Sequence, residues 1–575
     1  MQTSCKGMWG RAAISAKLTR FPWLQTTPDF AALLEMLSRS KCTSVLRRSI
    51  QSGSGSCVSS SVRSRSANLA LEERHCCLTY RRRISTETVA EMSEEESYRA
   101  AKPFNTIPGP RGPYSIPYIG TRLLFKPFSD YPMEGIGHVL NGLHEVYGPI
   151  VRVRMRSQWV VLLEDINDIQ TVFRKQEKFP YRVPVQPDLT YAERENPRLH
   201  RLTNVQNTNH IFDSNGEEWQ RIRSPLNVRL NRPTSAVGYL SSQEAVAVDF
   251  AHSLYRLQSA SPQVLQELFF GYAAESIAVV CFNKRLGFLS AQGEPNEEAL
   301  RLLQCYKAIN TAVSDCMFGK RFLYLFFRDS FYRRYSEARA ATLSHADTCI
   351  KEAMLELEKM KREGTLEEDE PNFLLSLLSE KTFDYLDVLG VVDQFMTAGS
   401  DSEKLAAEIL GELGPHGALT ADALNRLTYM KAAVNESMRI HYPVPAGPRR
   451  KLPFDTVLSG YQVPKGTNAI ANSSRVAISP LCYDEPARYL PERWLRKDGG
   501  QRDRAIPPLA HVPFGFGPRM CIGRRFALQE MYLAVVKVLQ AYRIGLQDNE
   551  GHLETTFTPF CGPAKPVAFT FTPRQ

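Results

Sequence analysis

Residues 268–281 (LFFGYAAESIAVVC) are apolar on nearly every side, a pattern that predicts a buried helix. Residues 147–154 and 159–163 read as two strands split by a turn. Leu427, Met430, Ala433, Val434 and Met438 recur at helical spacing. A further helical run, Phe526, Ala527, Leu528, Met531, Leu533, Ala534, Val535, Val538 and Leu539, follows a glycine-rich loop. Between residues 318 and 335, aromatics (Phe322, Tyr324, Phe326, Phe327, Phe331, Tyr332) interleave with Lys320, Arg321, Arg328, Arg333 and Arg334. That mixture suits either a membrane interface or a buried packing face. No apolar run reaches the 20 residues needed to span a bilayer, and no internal repeat is present.

The glycine-rich loop holds the strongest chemistry. Phe514-Gly515-Phe516-Gly517-Pro518-Arg519-Met520-Cys521-Ile522-Gly523 carries one cysteine among glycines that let backbone approach a flat cofactor. Backbone N–H groups near the following helix start favour the thiolate form of such a cysteine. A thiolate on haem iron pushes electron density onto the metal and favours O–O cleavage. The order Phe-x-x-Gly-x-Arg-x-Cys-x-Gly resembles the haem-ligand signature of cytochromes P450 without a mismatch.

Other elements of that family follow in order. Glu436 and Arg439 stand at i,i+3 on one helix face, and Arg493 lies in Pro491-Glu492-Arg493-Trp494. The resemblance implies that these three form a buried charged triad that locks the fold. Trp219 and Arg223, at i,i+4, match the Trp-x-x-x-Arg of the P450 C helix, whose side chains contact a haem propionate. Arg519 and Arg449 are expected at the propionates too, with the adjacent Arg450 able to take the second role. Residues 398–402 (AGSDS) resemble the oxygen-activating element of the I helix, with Asp401 and Ser402 as the proton relay and Ser402 standing where Thr is usual.

The resemblance implies a mainly α fold with a smaller β region, haem b ligated axially by Cys521, and monooxygenation of a hydrophobic small molecule. Cofactor contacts are expected from Trp219, Arg223, Arg449, Phe514, Arg519 and Cys521. One oxygen atom would enter the substrate (a steroid, sterol, other lipid or xenobiotic) and one would form water. In the mitochondrial clan the electrons come from a ferredoxin and its reductase. Arg524, Arg525 and Lys431 match that clan's basic docking positions, while Asn435 replaces one expected lysine.

One departure interrupts the pattern. After Ser402 the chain passes directly to Glu403-Lys404-Leu405-Ala406, which resembles the middle of helix J. By family spacing about twenty residues are absent before Glu436, some five to six helical turns. Either the chain is a shortened form, or the I helix continues to a stop at Gly414-Pro415. Two other activities follow as alternatives: a haem-binding form impaired in oxygen activation, or a thiolate-haem isomerase or dehydratase that needs no electron donor.

Composition changes the picture mainly at the N-terminus. Residues 1–83 are rich in Ser and Arg and contain Asp29, Glu35, Glu72 and Glu73 as their only acids. This pattern fits an organellar transit peptide over residues 1–90, with a disordered tail as the alternative. Residues 91–113 read as an acidic linker and proline-rich hinge, and 114–575 as the haem domain. The expected location is peripheral, on the matrix side of the inner mitochondrial membrane. The net charge of +10 comes without a nucleic-acid-binding motif and suits an acidic redox partner better. Of 12 cysteines, none is spaced for zinc or a disulfide framework.

Overall fold

The computed structural model describes residues 93–131, 136–182, 190–191, 194–195, 214–232, 235–259, 261–289, 296–316, 323–325, 327–363, 405–444, 446–495, 505–546, 555–557, 561–563 and 569–574. The chain falls into two compact units, residues 1–100 and 101–575. In the first, the acidic patch forms a short helix, Glu94–Ala100. Ser93 and Glu96 close its N-terminus reciprocally, as a capping box does, with Ser93 N donating to Glu96 Oε2 at 2.9 Å.

The second unit is mostly helical. Helices that position the site are α1 (Ile136–Tyr147), α2 (Ile166–Arg174), α3 (Gly216–Leu230), α4 (Leu240–Arg256), α5 (Pro262–Phe282), α6 (Glu297–Cys316), α7 (Ser330–Glu363), α8 (Leu405–Leu413), α9 (Thr428–Ile440) and α10 (Arg524–Ala541). Strands β1 (Ile150–Met155) and β2 (Gln158–Leu163) form the expected antiparallel hairpin. A short strand β3 (Arg449–Lys451) pairs antiparallel with β4 (Asn468–Ala471), which in turn runs parallel to β2.

Two apolar clusters hold the helices together. One joins α4, α5, α9 and α10 through Phe250, Tyr272, Val279, Met430, Val434, Leu533 and Leu539. The other joins α3, α6 and α7 to the start of α10 through Trp219, Ile222, Leu226, Ile350, Ile522 and Phe526. Each fully buried aliphatic side chain contributes about 1.5–3 kcal/mol.

Three expectations change here. The predicted stretch is not buried throughout: Phe270 is exposed, Leu268, Phe269 and Ile277 are half-buried, and the rest of 271–281 is buried. In the aromatic–cationic stretch, Tyr324, Phe331, Tyr332 and Tyr335 are packed into the second cluster, while among the described residues Leu323, Phe327, Arg328, Arg333 and Arg334 are exposed. Those aromatics form a packing face; Phe322 and Phe326 lie outside the described residues.

The proline-rich run, read as a hinge ahead of the domain, is built into the domain itself. Ile107 is buried, and Pro108 O accepts from Arg152 N of β1 at 2.8 Å. Gly109 lies so close to β1 that a Cβ would come within 2.0 Å of Arg152 O. The folded body therefore begins by Lys102, whose backbone bonds Gly460 and Gln462, and not at 114. Among the described residues no helix is long and apolar enough to cross a membrane.

Candidate functional site

The cysteine loop is a pair of tight turns. Gly515 N donates to Val512 O at 2.8 Å, Met520 N to Gly517 O at 2.9 Å, and Cys521 N to Phe514 O at 2.8 Å. Gly515 and Gly517 adopt φ of 75° and 74°, values that strain any residue with a Cβ. Gly523 has an ordinary φ of −81° and serves as N-cap of α10. Phe514 is half-buried against the α9–α10 core, and Phe516 meets Phe173 edge-on at 6.0 Å.

Cys521 is accessible to solvent, yet protein crowds it on its other sides. Burial raises its thiol pKa; the N–H of Gly523, the guanidiniums of Arg223 and Arg182, and the N–H of Arg524 pull the other way. The helix start and two cations thus point at the sulfur, and they offset only part of the desolvation.

Around this loop the structure gathers arginines from four parts of the chain. From α3, Arg223 is buried and donates to Met520 O at 2.6 Å, while its Nε has no acceptor. Arg519 is buried in the loop itself, donating to Pro180 O, Ser214 O and Asn215 Oδ1 at 2.8–2.9 Å. Its guanidinium lies 4.1 Å from the ring centre of buried Trp219, a cation–π contact that joins the two predicted residues. Arg450 donates to Gln176 Oε1 at 3.1 Å and to Phe516 O at 2.9 Å, over the ring of Phe173. Arg182 supplies further positive charge near Arg223 and Arg450.

Arg223 and Arg450 donate to carbonyl and amide oxygens of the protein. Burial, together with Arg182, pushes Arg450 down to about 9; burial pushes Arg223 down to about 10, with Arg182 adding to it and Cys521 opposing. Both remain cations at neutral pH. Buried cations without a counter-charge are costly, and an anionic ligand with two carboxylates is the natural complement. These residues therefore fit a haem whose propionates reach the arginines while its iron reaches Cys521.

Of the two adjacent arginines, Arg450 is the one that faces the loop. Neighbouring strand positions point to opposite faces, and Arg449 on β3 is half-buried where Arg450 is buried. Gln176, Arg182 and Asn215 escaped the sequence reading. Asn215 occupies the N-cap position of α3, but its side chain makes no cap bond and instead accepts from Arg182 N and Arg519. Asp401 and Ser402 lie outside the described residues.

Behind the loop, Glu436, Arg439 and Arg493 meet as expected. Glu436 accepts from Arg439 Nε (2.9 Å) and Nη2 (2.8 Å), Arg493 Nε (3.1 Å), Trp494 Nε1 (2.9 Å) and Leu490 N (2.9 Å). Burial alone would raise the carboxyl's pKa; the bonds from Arg439, Leu490 N and Trp494 outweigh it and hold the group below the usual carboxylate range. At the start of α10, Arg524 and Arg525 are exposed, with Arg525 Nε donating to Asn231 O at 2.8 Å. Lys431 is half-buried on α9 and reaches Asn425 O at 3.3 Å.

A helical body that brings a Phe-x-x-Gly-x-Arg-x-Cys-x-Gly loop into a set of buried arginines defines a class of haem-thiolate proteins. The chain belongs to the cytochrome P450 family, whose model matches residues 110–402 and 402–571. Haem held by a cysteine thiolate is accordingly its cofactor, and haem monooxygenation its reaction class. Among relatives, a probable cytochrome P450 49a1 of Drosophila melanogaster is 26% identical, over 83% of this chain and 84% of its own length. The mitochondrial 1,25-dihydroxyvitamin D(3) 24-hydroxylase of Rattus norvegicus is 25% identical, over 80% and 88%. The mitochondrial cytochrome P450 302a1 of Drosophila melanogaster is 26% identical, over 78% and 92%. These relatives place the chain in the mitochondrial clan. A cyanobacterial P450 solved with retinoic acid bound shares the fold, with a TM-score of 0.59 at 19% identity, covering 82% of this chain and all of that one.

Proposed function

We propose that this chain is a mitochondrial, ferredoxin-dependent monooxygenase of a hydrophobic small molecule. The observation that carries this reading is the pair of buried arginines, Arg223 and Arg450, that donate to neutral oxygens beside an accessible cysteine after a left-handed glycine pair. Haem, when bound, supplies dioxygen activation. Cys521 would hold its iron through a thiolate, favoured by the Gly523 and Arg524 N–H groups and by the nearby guanidiniums. Arg223, Arg450 and Arg519 would hold the propionates, with Arg450 in the role first expected of Arg449; Trp219 fixes Arg519 by stacking. Phe514 packs behind the loop and sets its distance from α10. Asp401 and Ser402 are assigned to proton delivery on family resemblance alone.

Arg524 and Arg525 stand exposed three and four residues after Cys521, which supports docking of a small acidic ferredoxin near the shortest electron path. Lys431, half-buried on α9, is assigned to the same contact on family resemblance alone. The acid-poor leader supports import into mitochondria and a peripheral matrix location.

A second reading is favoured by one observation: the family match divides into two segments that meet at residue 402, where the sequence departs from the family pattern. A chain shortened there would bind haem and ferredoxin yet fail to activate oxygen. The test is the reduced carbon monoxide difference spectrum of residues 91–575, followed by ferredoxin-dependent oxidation of a panel of steroids and other lipids. A band near 450 nm with turnover supports the monooxygenase, and the band without turnover supports the impaired form. No band, or one near 420 nm, would sink the thiolate–haem assignment.

A further inference from the structure

Between the charged triad and the cysteine loop sits a group of buried polar side chains that the assigned chemistry does not use. His511 lies three residues before Phe514 and packs against Trp494, with ring centres 4.5 Å apart. Both of its ring nitrogens are buried and neither has a hydrogen-bond partner. Tyr483 also meets Trp494, at 6.4 Å between ring centres; it is 2% exposed and its hydroxyl also has no partner. The Arg439 guanidinium rests 5.0 Å from the Tyr483 ring centre.

Burial, then the positive charge of Arg439 and Arg524, pushes His511 down to about 4 against the opposing pull of Glu436. The ring is therefore neutral in the cell, with one N–H to donate and one lone pair to fill. Buried polar groups in folded proteins are almost always satisfied, and where protein offers nothing the partner is ordered water. Two unpartnered side chains around one tryptophan, itself bonded to Glu436, call for such water.

We infer that the space around Trp494 is an internal hydration site, in which ordered water joins His511 and Tyr483 and so ties the cysteine loop to the Glu436–Arg439–Arg493 triad. The tie acts at a sensitive point. Val512, next to His511, offers the carbonyl that closes the first turn of the loop at Gly515. His511 is thus a positioning residue: through water it fixes the approach of the loop, and through the loop the setting of Cys521. The part concerning Cys521 rests on the haem-thiolate reading above; the water site does not.

The test has two arms on the holoprotein. A high-resolution crystal structure should show ordered water within hydrogen-bonding distance of a His511 ring nitrogen and of the Tyr483 hydroxyl; dry density at both would overturn the site. The second arm follows thermal decay of the 450 nm carbon monoxide band to 420 nm. His511→Phe, which keeps the stack on Trp494 and removes both polar tips, is expected to speed decay about tenfold. His511→Asn, which keeps a donor and an acceptor, should restore most of the wild-type lifetime. Equal lifetimes for wild type and His511→Phe, or equal loss in both variants, would overturn the positioning role. A wild-type protein with no 450 nm band would refute the haem-thiolate reading, and the crystallographic arm would still decide the water site.

Discussion

Two groups of arginine, one around Glu436 and one at the cysteine loop, are finished differently. In the first, Arg439 and Arg493 converge on Glu436, and the spare N–H groups of Arg439 reach the carbonyls of Ala477, Pro486 and Arg488. Both guanidiniums there share one carboxylate, and their remaining N–H groups reach backbone carbonyls. At the loop itself, Arg223 and Arg450 donate to neutral oxygens and both feel the charge of Arg182. The closed cluster contributes to the fold; the open one is destabilising until an anion arrives. On the proposed reading, the difference separates structural from ligand-binding arginines, which burial alone cannot do.

The comparison can be broken in several ways. The largest effect is expected from Cys521→Ser, which should abolish the 450 nm band and all ferredoxin-dependent turnover while leaving the helix content by circular dichroism unchanged. Glu436→Ala comes next. Removing one partner of a buried ion network leaves its cations uncompensated, at a cost of about 3–5 kcal/mol, read from the urea midpoint and from loss of haem on purification.

Opening the other cluster should behave with mixed sign. Arg450→Leu removes a cation that repels its neighbours, so the haem-free protein should unfold at equal or higher urea. Haem affinity should fall about 10–100-fold, since a charge-assisted bond is worth about 1.5–3 kcal/mol. Arg449→Leu should change affinity by less than about threefold, well below the effect of losing a full hydrogen bond. If Arg449→Leu proved the more damaging of the two, the assignment of Arg450 would be wrong.

Acid sharpens the contrast further. Glu436 is held below its unfolded pKa, so the stability it contributes is present above the usual carboxylate range and lost as pH falls through its folded value. The urea midpoint of the wild type should accordingly drop more steeply below about pH 4.5 than that of Glu436→Gln. The smallest effect belongs to the exposed surface. Arg525→Ala should slow reduction by ferredoxin a few-fold, more at low salt than at high, with the 450 nm band unchanged.

How much of this was legible depends on the distance over which each contact acts. The Glu436–Arg439 pair is one helical turn, so its spacing shows in the sequence; Arg493 could be added because family order supplied it. The further donors, Trp494 Nε1 and Leu490 N, are set by how the chain returns to α9, and nothing local announces them. Asn215 even misleads, since its type and place promise a helix cap and its side chain serves the arginines instead.

By itself the sequence determined the strand hairpin, the helices flanking the cysteine loop, the loop's need for glycine, and the family, because these rest on periodicity, local φ and short-range order. Tertiary structure alone decided that Arg450 and not Arg449 enters the site, through the register of a three-residue strand with Asn468–Ala471. It also turned the proline run into a layer on β1 and most of the described aromatics near 330 inward. In each case the residue types allowed two outcomes, and the choice fell to which surface lay opposite once distant segments had packed.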